Sequence, residues 1–228
     1  PLERNGADAD CDGAGNIAVA GTVGGNTGLG QGPLRDGGGD AFVARFDASG
    51  TLVFDKTLLV DPEDSPDGAR AMAVAAHDDG STYVFLDHDA AVDFGSGAIE
   101  PVYGGVGAQA LLARLSDTGD LMWSAPVGGE GRVYSGDLIV DADGRVAVSG
   151  SFLSFVELGE FTFGNVSPYA EQEMPPREGA YDAFLAVFEA DGSFSWGEAA
   201  GWAEDESPAP GPVPGAQARL SGASGGGV

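Results

Sequence analysis

Short apolar runs alternate along the chain with clusters of Gly, Asp, Ser and Asn, the patterning of β-strands joined by tight turns rather than of helices. One stretch organises the rest. DAFVARFDASGTLVF, Asp40 to Phe54, returns without a gap as QALLARLSDTGDLMW, Gln109 to Trp123, and as DAFLAVFEADGSFSW, Asp182 to Trp196. A glycine stands ten residues after the start of each copy, at Gly50, Gly119 and Gly192, and a large aromatic four residues later, at Phe54, Trp123 and Trp196. Self-similarity at a fixed spacing constrains the architecture before any propensity argument.

A second anchor precedes each copy. Gly15, Gly80 and Gly144, 65 and 64 residues apart, each follow a polar cluster and lead into a β-rich run. Each repeat then offers four short strands, set out most clearly in the second: Ala69 to Ala76, Ser81 to Asp87, Ala108 to Ser116 and Leu121 to Val127. Asp-Gly and Thr-Gly pairs between the runs are hairpin chemistry. In the first repeat the opening segment, Gly6 to Cys11, is polar and does not read clearly as a strand. Extra segments precede the third strand at Ala91 to Gly97 and Phe155 to Gly164. The third strand is apolar on both sides, with Phe42, Ala44 and Phe46 against Ala41 and Val43. Such a strand suits a sheet stacked between two neighbours. The reading is an all-β fold, a partial β-propeller of three four-stranded antiparallel blades (about 6–60, 69–128 and 135–202) with the start of a fourth. Closed propellers have ~4–8 blades, so the chain reads as a fragment whose partners include the remaining blades of a longer chain.

The segments GNIAVAG, VDFGSG, DAFVARFDASG and LMWS together resemble the bacterial β-propeller repeat family of the seven-bladed repeat type. The resemblance covers Asp12 to about Trp196 and departs from the family pattern at Gln109, Leu111 and Phe54. It implies an exported protein placed outside the cell, on its surface or in the periplasm, and it brings no catalytic residues.

Charge narrows the partners. Lys+Arg number 10 against Asp+Glu 36 in 228 residues, a formal net charge of −26, and Lys56 is the sole lysine. Such a chain repels nucleic-acid phosphates and anionic membrane surfaces, and no apolar run is long enough to span a bilayer. The expected partner is a protein or carbohydrate ligand. Cys11 is alone, so no internal disulfide forms. The opening PLERNGADAD has neither Met nor a leader pattern, which fits a removed leader or a piece of a longer chain. Asp61 to Gly68 and Pro168 to Tyr181 read as surface loops, and 203–215 as a linker. Residues 216–228 read either as the first strand of a further blade or as a disordered tail.

Candidate chemistry is sparse. In DADCDG, Asp8, Asp10 and Asp12 with Gly13 match the start of a calcium loop, but the twelfth position is Val19 rather than Glu. The same segment aligns with the ordinary turn VDADGR at Val140 to Arg145. His88, beside Asp87, Asp89 and Asp93, is a second metal candidate, set against a plain acidic loop. There is no nucleophile elbow and no phosphate-cradling glycine motif. The repeated aromatics read as core rather than as a sugar-stacking ladder. No cofactor is called for beyond possible calcium. The leading expectation is a non-catalytic, exported binding or scaffold module. The alternatives are a fragment of a propeller enzyme acting on an extracellular polymer and a calcium-stabilised adhesion module.

Overall fold

A computed structural model describes residues 7–23, 40–58, 68–103, 107–129, 131–153, 155–159, 161–164 and 181–200. Every regular element among them is a β-strand. The strands form three four-stranded antiparallel sheets, one from each successive repeat of the sequence. Sheet one is β1 (Ala7–Cys11), β2 (Ile17–Val23), β3 (Asp40–Phe46) and β4 (Leu52–Thr57), paired in that order. Sheet two is β5 (Ala69–Ala76), β6 (Thr82–His88), β9 (Gln109–Leu115) and β10 (Leu121–Val127). Sheet three is β11 (Val133–Val140), β12 (Val146–Phe152), β15 (Asp182–Phe188) and β16 (Phe194–Ala200).

The expected extra segments are small hairpins between the second and third strands of sheets two and three. They are β7 (Val92–Asp93) with β8 (Ala98–Ile99), and β13 (Phe155–Leu158) with β14 (Phe161–Gly164). The acidic loop at 61–67, most of the loop at 168–181 and the segments 203–215 and 216–228 lie outside the described residues.

One turn design closes all six main hairpins. In the first repeat the Gly50 amide donates to the Asp47 carbonyl and the Asp47 amide to the Thr51 carbonyl. The same pair of bonds recurs at Asp12, His77, Ser116, Asp141 and Glu189. Where the first turn residue is Asp, its carboxylate also accepts two amides, as Asp47 does from Ser49 and Thr51 and Asp141 from Asp143 and Arg145. A short acceptor that bonds its own backbone two residues on is the reason Asp is favoured there.

The core lies between the sheets. Ala18, Ala41, Val43 and Phe54 of sheet one pack on Val84, Leu86, Leu111 and Leu115 of sheet two. The opposite face of sheet two, with Tyr83, Phe85 and Leu112, packs on Val146, Val148, Phe184 and Phe188 of sheet three. Every residue of β6 is buried, which explains its continuous apolar run: both faces meet a neighbour.

At the amino end of the described chain the doubtful opening strand is present, and at the other end one expectation is corrected. Ala7–Cys11 is a strand, paired with β2 from Ala7 opposite Gly21 to Cys11 opposite Ile17. Polarity hid it, because its alternate aspartates bond the neighbouring sheet instead of entering a core. The three aromatics are also not equally buried. Phe54 is 8% exposed, Trp123 is half-buried and Trp196 is 39% exposed. Trp196 lies on the face of sheet three that no other described sheet covers.

Candidate functional site

The first strands of the three sheets lie side by side, and β1 carries two of the acidic residues that the sequence singles out, Asp8 and Asp10. A cleft of ≈ 290 Å³ opens among them, lined by Asp8, Asp10, Ala76 and Ile139 with their strand neighbours. Asp8 and Asp10, two apart on β1, point to the same side. Asp8 Oδ2 accepts the Val74 amide at 2.9 Å and Asp10 Oδ2 the Ala76 amide at 3.0 Å. Two carboxylates thus pair with free amides of β5, whose ladder is interrupted by a bulge between Ala71 and Ala73. Ile139, 68% exposed, forms the apolar wall.

Asp12 turns away from this cleft. Its Oδ2 receives Arg45 Nη2 at 2.6 Å and Asn16 Nδ2 at 2.8 Å, and its Oδ1 receives the Ala14 and Asn16 amides. Burial pushes its carboxyl pKa up, but the Asn16 and Arg45 donors outweigh that and hold it below the usual 3.8. Asp8, Asp10 and Asp12 therefore make three separate attachments and do not converge on one point. Among the described residues no three His, Cys, Asp or Glu side chains are grouped to hold a metal ion.

The second metal candidate is dispersed in the same way. His88 is 1% exposed, with Nδ1 3.0 Å from the Ala90 carbonyl. Burial pushes its pKa down from 6.5 and keeps the ring neutral. Asp87 accepts the Ser135 amide of sheet three, whereas Asp93 accepts the Gly95 and Gly97 amides.

What the polar side chains do, then, is join sheets. Buried Arg45 of β3 donates to the Ser81 carbonyl and Thr82 Oγ1 of sheet two as well as to Asp12. Arg114, its counterpart in β9, donates Nη1 to the Ala190 carbonyl of sheet three at 2.8 Å and Nη2 to Asp79, with its guanidinium 5.2 Å from the Tyr83 ring centre. The sequence holds the signal for this pair: Arg45 and Arg114 fall at the same place in copies one and two, where copy three has Val187.

The repeated aromatics make the second junction. A Cβ on Gly119 of sheet two would lie 2.7 Å from the Phe54 ring of sheet one. A Cβ on Gly192 of sheet three would lie 2.7 Å from the Trp123 ring of sheet two. Both glycines also have positive φ, 86° in each case, so the turn and the close approach demand the same residue. Trp123 Nε1 completes the joint by donating to the Ala190 carbonyl at 3.0 Å. A second cleft, of ≈ 370 Å³, lies near this junction and is lined by Ser124, Glu157, Ser193 and Phe194 among others.

No family model matches the chain, and no curated protein matches it. Among solved structures, the Bacillus licheniformis rhamnogalacturonan lyase PL11 is similar over 88% of this chain at 18% identity, with a TM-score of 0.32. This chain spans 41% of that one.

Proposed function

We propose that the chain is a non-catalytic binding module in which three blades of a β-propeller present a ligand cleft at the ends of their first strands. The cleft beside Asp8, Asp10 and Ile139 carries this reading. It offers carboxylate acceptors next to an exposed apolar wall, on a chain of formal net charge −26. That chemistry favours a cationic protein segment over an acidic polysaccharide, which the field of the whole chain would repel. The recurrence of one sheet-to-sheet joint supports the propeller description, since face-to-face stacking of four-stranded meanders is how blades are assembled. The resemblance to exported bacterial propeller repeats supports a location outside the cytoplasm: extracellular, at the cell surface or in the periplasm.

A labelled Arg- and Lys-rich peptide tests the reading. Ile139→Lys and Val53→Lys change net charge equally and both replace exposed side chains, at 68% and 45% exposure. Ile139→Lys should weaken the peptide roughly tenfold while Val53→Lys leaves it near wild type. Equal loss in both variants would show attraction to overall charge only and would remove the cleft from the account.

A further inference from the structure

The hairpins inserted in sheets two and three repeat one another. VDFG at Val92 to Gly95 corresponds to VELG at Val156 to Gly159. Val92 and Val156 are fully buried, so the next side chain along each strand, Asp93 or Glu157, takes the opposite side. The Asp93 amide donates to the Leu58 carbonyl at 2.8 Å and the Glu157 amide to the Gly128 carbonyl at 2.6 Å. Both carbonyls stand just past the last strand of the preceding sheet. Each hairpin therefore brings one acid to the seam between two sheets.

At the first seam the space beside the acid is filled by Lys56 of β4. Its Cε lies 3.0 Å from where a Cβ on Gly119 would stand, and its Nζ 3.3 Å from where one on Gly95 would stand. The stem thus runs along the turn glycine of sheet two and the ammonium ends at the hairpin. The Asp93 carboxyl is held below 3.8 chiefly by the Gly97 and Gly95 amides, and the Lys56 charge adds to them.

At the second seam Ala125 stands in the place of Lys56, opposite Leu112 as Lys56 is opposite Val43. The space that a lysine takes at the first seam is here the cleft of ≈ 370 Å³ beside the Trp123 joint. Its lining repeats the surroundings of Lys56 one sheet on, with Gly192 for Gly119, Gly159 for Gly95 and Glu157 for Asp93. The two acids differ in what they are engaged with. Asp93 spends its carboxylate on its own turn amides, whereas no described residue bonds the carboxylate of Glu157. The lining holds no Lys, Arg or His to balance it, and Phe194 adds an apolar wall and Ser124 a hydroxyl. A cleft of this volume is within the ~300–1,000 Å³ of small-molecule sites.

We propose that this cleft binds a small ligand ending in a primary ammonium on an unbranched alkyl chain, the ammonium on Glu157 and the chain along Gly192, as Lys56 lies on sheet two. An ammonium is a triple donor with no acceptor, and the cleft offers it a carboxylate and a hydroxyl oxygen. A ligand ending in a carboxylate would meet Glu157 and a chain of formal net charge −26. The site is separate from the first-strand cleft and does not depend on what that cleft binds.

n-Butylamine reproduces a lysine side chain from Cβ to Nζ, and n-butanol is its uncharged counterpart. In NMR titrations butylamine should saturate amide shifts around Glu157, Gly159 and Gly192 at about 1–10 mM, and butanol should bind at least about fivefold more weakly. Glu157→Gln should weaken the amine about five- to tenfold, while Glu198→Gln, an equal change of charge at an exposed position of the same sheet, leaves it near wild type. Ala125→Lys should fill the cleft from within and abolish butylamine binding. Lys56→Ala should open the matching space at the first seam and add a second set of shifted amides, around Gly95 and Gly119. Should Ala125→Lys disturb the fold, the two Glu→Gln variants decide alone. No saturation up to about 50 mM, equal binding of amine and alcohol, or equal losses in Glu157→Gln and Glu198→Gln would overturn the proposal. So would a blocked Gly-Lys-Gly peptide that saturates the same amides at least about tenfold more tightly than butylamine, since the occupant would then be a lysine of another protein.

Discussion

Sheet two and sheet three share one design and differ in their neighbours. Leu112 and Leu185 hold the same place in the third strand, as do Trp123 and Trp196 in the fourth. Yet Leu112 is fully buried and Leu185 is 40% exposed, while Trp123 is half-buried on Gly192 and Trp196 is 39% exposed. Nothing in the local sequence distinguishes these pairs. Burial in a stacked-sheet protein is conferred by the next sheet, so equivalent residues contribute very different amounts of stability. The contrast is between junction and open face, and it can be measured residue by residue.

The largest difference should come from the polar joint. Arg45→Ala removes the cationic partner of Asp12, which keeps only its Asn16 and Ala14 donors, and takes the guanidinium from the Ser81 carbonyl inside the junction of sheets one and two. Removing one partner of a buried pair should cost about 3–5 kcal/mol in urea unfolding; a loss below about 1 kcal/mol would mean that solvent replaces the guanidinium easily. Next is the leucine pair. Leu112→Ala should cost about 2–5 kcal/mol, whereas Leu185→Ala should stay within about 0.5 kcal/mol of wild type. Equal costs would erase the distinction between covered and open faces.

These contrasts also mark how far the sequence could be read. The three repeats, the six turns and the two inserted hairpins were legible because each is written locally, in a glycine at a fixed distance or a run of alternating residues. The first strand was legible only as a doubtful one, because Asp8 and Asp10 make it polar until β5 supplies amides for them. The roles of Arg45 and Arg114 were not legible, because they depend on carbonyls 36 and 76 residues away. The DADCDG segment shows the opposite failure. Its spacing matches a calcium loop, but strand geometry sends Asp8 and Asp10 to one neighbour and Asp12 to another. A pattern of residue types carries no information about which side of a turn each side chain takes.

Glycine substitutions sharpen the comparison at smaller scale. Gly50→Ala should cost about 1–2 kcal/mol, the penalty of positive φ for a residue with a Cβ. Gly192→Ala carries the same penalty plus the displaced Trp123 ring, and should exceed it by about 1–3 kcal/mol. Denaturation midpoints of the two variants would show identical losses if the ring contact were unimportant.

The smallest effect is a pH dependence. Folded His88 has a pKa pushed below 6.5 by burial, so below that pH the unfolded chain binds a proton that the folded chain does not. Stability should therefore fall as pH drops through 6.5, by up to about 1.4 kcal/mol per pH unit from this one site. The depressed carboxyls, Asp12 among them, add their own loss only below 3.8, where the unfolded carboxyl takes up its proton first. Chemical unfolding as a function of pH should show the upper slope in wild type and its absence in His88→Gln. A slope that survives the substitution would assign it elsewhere.

The central claim is that an aromatic ring of one sheet rests on the turn glycine of the next. Proton NMR of the three turn glycines reads that contact directly, because an aromatic face shifts the protons beneath it upfield. An α proton of Gly119, under Phe54, and one of Gly192, under Trp123, should lie well upfield of those of Gly50, and Trp123→Leu should return Gly192 alone to the position of Gly50. If all three glycines show the same unshifted α protons, the rings do not sit where this account places them.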